Sequence, residues 1–182
     1  MLDMLITARH GDLGNALTVR RVLPYAKRRH VGPFVFLDHA GPVTLAPEHV
    51  RAADVRPHPH IGLSTVSYLF EGAIVHRDSV GAVQRIEPGA INWMTAGRGI
   101  VHSERAPQEL KASTYVNHGI QLWAALPVAA EEVDASFVHT PAAAVPVLEA
   151  GGATVRVLIG SVFGVTSPVA VRSPMVYLDI AM

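Results

Sequence analysis

Residues 56–104 read RPHPHIGLSTVSYLFEGAIVHRDSVGAVQRIEPGAINWMTAGRGIVHSE, and the rest of the chain can be understood from this segment. It begins with HPH at 58–60 and ends with HSE at 102–104, so each end places two metal-capable side chains two residues apart. Residues i and i+2 of a β-strand point to the same face of a sheet, so each pair can aim both side chains into one cavity. The residues between the ends indicate short strands joined by glycine turns, which would bring the two ends side by side.

The two ends together supply three imidazoles and one carboxylate, from His58, His60, His102 and Glu104. This ligand set suits a first-row transition metal with coordination positions left open for other ligands. Iron(II), manganese, nickel, cobalt and zinc all accept it, and zinc could also close it as a tetrahedral structural site. The alternative is two unrelated polar strand ends, one of them carrying a surface His–Glu contact.

Short β-segments continue on both sides of this stretch. We predict strands at 18–24, 32–42, 63–70, 73–77, 84–86, 91–94, 115–126, 145–148, 153–164, 167–171 and 175–182. The close spacing of these segments, the Gly/Pro turns between them and the lack of helical periodicity predict an all-β sandwich or small barrel.

Three local expectations follow from the turn and breaker residues. The strands at 63–70 and 73–77 are predicted to form a hairpin, with the Glu-Gly step between them as its turn. Residues 43–57 are predicted to be loop, because the prolines just before this stretch and within it would interrupt a helix. Residues 131–137 fit either a helical turn or a further strand.

The composition excludes several functional classes. The chain of 182 residues has 15 basic and 15 acidic residues, and this balance argues against non-specific binding to nucleic acid. It has no cysteine, which excludes disulfides, iron–sulfur clusters and thiol catalysis. The N-terminal sequence lacks the features of a secretory signal, and no apolar run is long enough for a membrane span. A cytoplasmic location with no membrane association is therefore expected.

The motifs HPHIGLSTVSYLFEG, VHRDSVG, PGAINWMTAGRGIVHSE and GIQLWAALP, with VRRVLP and VGPFVFLDHAGP upstream, closely resemble the pirin family of the cupin superfamily. The resemblance covers nearly the whole chain. It implies a cupin fold, that is, a double-stranded β-helix or jelly-roll barrel. It also implies iron(II) held by the residues that match the pirin ligands, which are His58, His60, His102 and Glu104.

Pirins have two cupin domains with the metal in the N-terminal one, and this resemblance sets the expected domain organisation. Residues 1–182 would form the N-terminal cupin domain as a single barrel, with the C-terminal cupin largely absent. The chain would then be either naturally short or truncated. Without the second domain, the barrel should expose an apolar patch, and a second copy of the chain could cover it. We therefore expect a homodimer.

The resemblance implies two alternative functions. The first is a quercetin 2,3-dioxygenase-type reaction on a flavonol-type aromatic substrate, with Glu104 as the catalytic base that accepts the 3-hydroxyl proton. The second is a redox-sensing regulatory protein that docks on a transcription or metabolic protein without turnover. Pirins usually carry an acidic residue at the position of Ser64 and a basic one at that of Ile61. Strand parity counted from His60 places Ser64 in the cavity, so its lack of a carboxylate favours the regulatory alternative.

Further residues are expected around the metal or near it. Candidates for an apolar lining, for which ordinary barrel core is the alternative, are Val66, Tyr68, Phe70, Trp93, Met94, Ile100 and Trp123. Gln121 could reach the cavity, and Gly97 and Gly99 would permit a tight entry into the second ligand strand. His76 and Asp78 could orient a ligand imidazole or form a turn contact. Asp38 and His39 are interpreted as a turn contact.

Overall fold

The computed structural model describes residues 3–12 and 17–182, and it is built almost entirely from antiparallel strands. The strands are β1 (Arg9–Asp12), β2 (Thr18–Leu23), β3 (Phe34–Leu45), β4 (Val55–His60), β5 (Leu63–Glu71), β6 (Ile74–Asp78), β7 (Val83–Ile86), β8 (Ile91–Thr95), β9 (Ile100–Arg105), β10 (Tyr115–Ala125), β11 (Ser136–Thr140), β12 (Val147–Ala150), β13 (Ala153–Ile159), β14 (Ser161–Val162), β15 (Val165–Thr166) and β16 (Tyr177–Ala181). The helical segments are α1 (Pro47–Val50) and 3₁₀ turns at Gln108–Ala112, Val128–Ala130 and Ala142–Ala144. None of these helices has the length and apolar composition that a membrane crossing requires.

Two antiparallel sheets enclose the predicted site. The larger has seven strands in the order β1-β2-β3-β10-β5-β8-β11, and the smaller has four in the order β4-β9-β6-β7. Side chains from their inner faces meet, as the hydrogen bond from Ser67 of β5 to Glu104 of β9 shows. The predicted all-β class is therefore confirmed, and the site lies between the two sheets.

The register of the smaller sheet brings the two ends of the 56–104 stretch together. β4 pairs with β9 so that His58 lies directly opposite His102. An irregularity in the pairing between Val55 and His58 shifts the strand just before the first histidine. The expectation that the strands between the ends would return the chain to its starting point is thus confirmed.

The C-terminal part of the chain covers the outer face of the seven-stranded sheet. β12, β13 and β16 form a separate three-stranded sheet. Leu158 and Ile159 of β13 pack against Val66 and Leu122 of the large sheet in one buried apolar cluster. This layer buries apolar surface that the large sheet would otherwise expose to water. The homodimer stays a prediction.

Three local expectations are corrected. The strands at 63–70 and 73–77 do not pair as a hairpin, because β5 belongs to the seven-stranded sheet and β6 to the four-stranded sheet. At the crossing, Gly72 has a φ of +85°, and a Cβ there would lie 2.5 Å from the backbone oxygen of Val116. The stretch 43–57 contains the end of β3, α1 and the start of β4. The helix forms because proline is tolerated in its first turn. The segment 167–171 is not a strand.

The undecided stretch 131–137 is also resolved. The last two residues of this stretch belong to β11, which pairs with β8 at the edge of the large sheet. A 3₁₀ turn at Val128–Ala130 ends just before the stretch begins. The backbone oxygen of Val133 in this connection accepts a hydrogen bond from the Arg98 N–H, so the connection is bonded to the loop that leads into β9.

Gly97 is required at the entry to β9, and its replacement by alanine should be costly. Its φ is +51°, and a Cβ would lie 1.9 Å from the backbone oxygen of Val133. Gly32 has nearly the same φ, +53°, but a Cβ there would meet nothing within 4 Å, so Gly32→Ala is a matched control. We expect Gly32→Ala to cost about 1 kcal/mol of unfolding free energy and Gly97→Ala a further ~1–3 kcal/mol from overpacking. Urea unfolding of both variants measures this, and equal losses would contradict it.

Candidate metal centre

Three histidines converge between the two sheets. His58 and His60 come from β4 and His102 from β9, and one potential ligand nitrogen of each lies within 4.8 Å of the others. The ring centroid of His58 is 4.4 Å from that of His102, and the His60 centroid is 5.0 Å from it. The same-face spacing of the HPH pair and the His58–His102 register together produce this arrangement.

In two of the three rings, the hydrogen-bond contacts indicate which nitrogen could bind a metal ion. Nδ1 of His58 lies 2.9 Å from the backbone oxygen of Arg56 and donates its hydrogen there, so that in the neutral ring Nε2 carries the lone pair. Nε2 of His102 is buried without a hydrogen-bond partner among the described residues. A buried polar atom without a partner is unfavourable unless something else satisfies it, and a metal ion would do so.

Burial holds the imidazoles of His60 and His102 in the form that binds metals. It lowers the pKa of His60 to about 4 and that of His102 to about 3, with the neighbouring imidazoles as the smaller cause. Neutral imidazole is the metal-binding form of histidine, so these two side chains can bind a cation at neutral pH without first losing a proton. The donor set has no thiolate, which suits the harder divalent metals.

A fourth histidine, His76, contacts His102 and is itself bonded to a carboxylate. Nδ1 of His76 is 3.3 Å from Nδ1 of His102, and Nε2 of His76 is 2.8 Å from Oδ2 of Asp78. The other carboxylate oxygen of Asp78 accepts hydrogen bonds from the backbone N–H groups of Val80 and Ala82. This pair therefore contacts a candidate ligand and also closes a turn, which combines the two predicted alternatives.

Glu104 lies near the histidines but its carboxylate is not part of their converging group. Its Oε1 accepts a hydrogen bond of 3.2 Å from the Ser67 hydroxyl, which also lies 2.9 Å from Oε1 of Gln121. Burial raises the pKa of Glu104, although the nearby imidazoles and the Ser67 hydroxyl oppose this. Gln121 thus reaches the cavity as predicted, and the role of Glu104 as a metal ligand stays a prediction.

The histidines open onto a cavity of about 290 Å³ with an aromatic wall. Phe36 and Trp123 stack with ring centroids 4.1 Å apart and planes 13° from parallel. The rings of Trp123 and His60 make a T-shaped contact, with their centroids 5.0 Å apart. Arg21 lies over the Phe36 ring at 4.6 Å and donates two hydrogen bonds of 2.8 Å to Asp38. Trp123 is therefore a cavity residue, as predicted.

Arg21, Phe36 and Asp38 are site residues that the sequence analysis does not identify. The interpretation of Asp38 as a turn contact rests on the Gly-Pro step that follows it, but β3 continues through that step to Leu45. Asp38 is therefore a buried mid-strand residue, two positions from Phe36 and on the same face of the sheet. The alternation of Phe36 and Asp38 is the signal that could have identified this wall.

Several residues predicted to line the cavity lie elsewhere. Ser67 of β5 faces Glu104, so the alternate residues Ser64, Val66 and Tyr68 point to the outer face of the sheet. Val66, Tyr68 and Trp93 pack there against the C-terminal layer. Ser64 is fully buried with its hydroxyl 3.4 Å from that of Thr95, so it is not a cavity residue.

The other three residues predicted to line the cavity, Phe70, Met94 and Ile100, also lie elsewhere. Phe70 continues the outer-face series of β5 and packs against the ring of His118, away from the cavity. Met94 and Ile100 form a separate buried cluster with Ala96, against which Phe137 packs. None of the three lines the cavity, so the alternative of ordinary barrel packing is the correct one for them.

The comparisons with known proteins agree with one another. A family model described as Pirin matches residues 16–124. A pirin-like protein of Caulobacter vibrioides is 51% identical over 179 residues, which are 98% of this chain and 62% of the relative. Pirin of Homo sapiens is 33% identical over 179 residues, 98% of this chain and 58% of the relative.

Among solved structures, a quercetin 2,3-dioxygenase from Acinetobacter baumannii matches with a TM-score of 0.88 and 41% identity, over 96% of this chain and 56% of that chain. The match confirms the predicted cupin barrel. The chain spans about three fifths of the length of these relatives.

The buried imidazoles should make the metal-free protein sensitive to acid. Unfolded His60 takes up a proton below about pH 6.5, whereas folded His60 does so only near pH 4. Protons therefore favour the unfolded state between these values, and stability is lost as the pH falls. We expect the unfolding free energy of the wild type to fall, relative to His60→Gln, by about 1 kcal/mol per pH unit between pH 6 and 5.

Denaturant titrations of both metal-free proteins at pH 7, 6 and 5 measure this difference. The comparison cancels Glu104, which is present in both proteins and whose raised pKa acts in the opposite direction. Parallel stability curves for the two proteins would contradict the expectation.

Proposed function

The chain belongs to the pirin family, and from that premise we propose that it is a metal-dependent dioxygenase of the quercetin 2,3-dioxygenase type, with iron(II) as its metal. The observation that carries this proposal is the convergence of three imidazoles, one with a buried and unpartnered Nε2, on an aromatic-walled cavity. The similarity to the quercetin 2,3-dioxygenase of Acinetobacter baumannii supports the reaction class.

In this proposal His58, His60 and His102 hold the metal, and Glu104 is the fourth ligand or a base beside it. When bound, iron(II) supplies Lewis acidity and the ability to exchange electrons with dioxygen. In the proposed reaction Glu104 accepts the proton of the substrate 3-hydroxyl, and burial, which raises the pKa of this carboxylate, makes it a better proton acceptor. The Ser67 hydroxyl holds the carboxylate in position.

The cavity wall favours a planar aromatic substrate. Trp123, which is stacked on Phe36 and lies next to His60, offers an apolar aromatic ring for a flavonol ring to pack against. The bidentate bond from Arg21 to Asp38 fixes the outer end of this wall. In the proposed reaction the flavonol and one dioxygen yield a ring-opened ester and carbon monoxide.

The sequence observation that favoured a regulatory function does not hold in the structure. That observation was the missing carboxylate at Ser64, but Ser64 points to the outer face of the sheet. A carboxylate carried there could not reach the histidines, so its absence leaves the chemistry of the cavity unchanged. A docking function without turnover is the outcome that a negative activity test would support.

The first test is removal of the proposed ligands. After anaerobic loading with iron(II) and dialysis, the wild type should retain one metal ion per chain, and His60→Ala combined with His102→Ala should retain essentially none, because a single imidazole and a carboxylate bind too weakly. The control is His39→Ala with His118→Ala, which removes an imidazole pair whose Nε2 atoms are 2.8 Å apart outside the cavity. Elemental analysis decides, and full metal content in the first variant would refute the assignment.

The second test is turnover of quercetin. The iron-loaded chain should consume dioxygen when quercetin is added, and Glu104→Gln at equal metal content should be slower by about 100-fold or more, because it cannot accept the proton. Glu149→Gln, which changes an exposed carboxylate bonded to Thr154, should leave the rate unchanged. Trp123→Leu should mainly raise KM, since it removes half of the aromatic wall. No oxygen uptake by the loaded wild type would overturn the proposed activity.

A further inference from the structure

Beneath His102 lies a buried chain of polar groups that the proposed function does not use. His76 and Asp78 of β6 are almost fully buried, with side-chain exposures of 3% and 0%. The chain runs from Asp78 Oδ2 to His76 Nε2 over 2.8 Å, and from His76 Nδ1 to His102 Nδ1 over 3.3 Å. The His76 ring is also stacked on Phe137 with centroids 4.1 Å apart, which restricts its plane.

The direction of every hydrogen bond in this chain follows from the carboxylate. An ionised carboxylate can only accept hydrogen bonds, so Nε2 of a neutral His76 must carry the proton that Asp78 receives. Nδ1 of His76 then has a lone pair and can only accept. The remaining proton of His102 must therefore be on its Nδ1, which leaves the buried Nε2 of His102 as a bare lone pair.

We infer that Asp78 and His76 are positioning residues that fix the Nδ1–H tautomer of His102 and so keep its Nε2 ready to bind a metal ion. This inference rests on the proposed metal site. Through these hydrogen bonds the pair also raises the basicity of the His102 imidazole, so His102 binds a cation more strongly. A purely structural role for the pair in the β6–β7 turn would not determine where the His102 proton lies.

The hydrogen bonds of Asp78 make one substitution especially informative. Oδ1 of Asp78 accepts from the backbone N–H groups of Val80 and Ala82, and in Asp78→Asn these donors would hold the amide oxygen in the same place. The amide NH₂ would then face Nε2 of His76 as a donor. The chain would reverse, with His76 donating from Nδ1 to His102, whose proton would move to Nε2.

The first measurement is long-range ¹H–¹⁵N NMR of the histidine rings in the full, metal-free chain at pH 8, above the ordinary imidazole pKa. His102→Gln identifies the His102 signals. In the wild type we expect the His102 proton on Nδ1, and in Asp78→Asn on Nε2. Asp134→Asn, the same change at an exposed aspartate that pairs with Arg98, is the matched control and should resemble the wild type.

The second measurement is the affinity for Co²⁺, used alone as a spectroscopic probe. Asp78→Asn should weaken Co²⁺ binding by about 10–100-fold, whereas Asp134→Asn should not change it. Unchanged Co²⁺ affinity in a folded Asp78→Asn protein would overturn the inference. If Asp78→Asn does not fold, the tautomer of the wild type still decides by itself.

The two proposals fail in different ways. A wild type that binds Co²⁺ through its histidines but carries the His102 proton on Nε2 when metal-free would overturn the inference and leave the metal site standing. A wild type with the proton on Nδ1 that binds neither Co²⁺ nor iron(II) would support the hydrogen-bonded chain and overturn the proposed function.

Discussion

Three imidazole rings share one partly enclosed space, and the rest of the structure depends on that crowding. Their potential ligand nitrogens lie within 4.8 Å of one another, so protonating more than one of them would place like charges close together in a medium that screens them poorly. Burial, with a smaller contribution from the neighbouring imidazoles, lowers the pKa of His60 and His102 and keeps both side chains neutral. Three imidazoles whose potential ligand nitrogens lie this close together suit the binding of one cation, so the arrangement makes most physical sense as a metal site.

Each layer of the fold contributes to holding those rings. The four-stranded sheet places His58 opposite His102, and the seven-stranded sheet closes the cavity with the aromatic wall and the Ser67–Glu104 contact. The C-terminal layer packs on the outer face of the large sheet and forms an apolar core there. The inner face of the large sheet can therefore carry polar side chains around the site. A buried His–Asp pair contacts one of the candidate ligand rings, that of His102.

The sequence alone was sufficient to predict which side chains share a face within a single strand. The pairs at 58–60 and 102–104 each lie on one strand, so their same-face geometry followed directly. The placement of Ser64 was wrong because the count from His60 crossed Gly62, where the chain leaves one sheet for the other and parity is lost. The hairpin after β5 failed for the same reason. Asp38 was missed because β3 continues through a Gly-Pro step that normally ends a strand.

If one metal ion binds where the three imidazoles meet, as we propose, its position can be observed directly. Diffraction from crystals of the iron-loaded chain, measured on both sides of the iron absorption edge, locates iron by anomalous scattering. We expect a single strong peak about 2.1 Å from one nitrogen each of His58, His60 and His102, the typical distance for imidazole ligands. No peak there, or a strong peak at another site such as the His39–His118 pair, would contradict it.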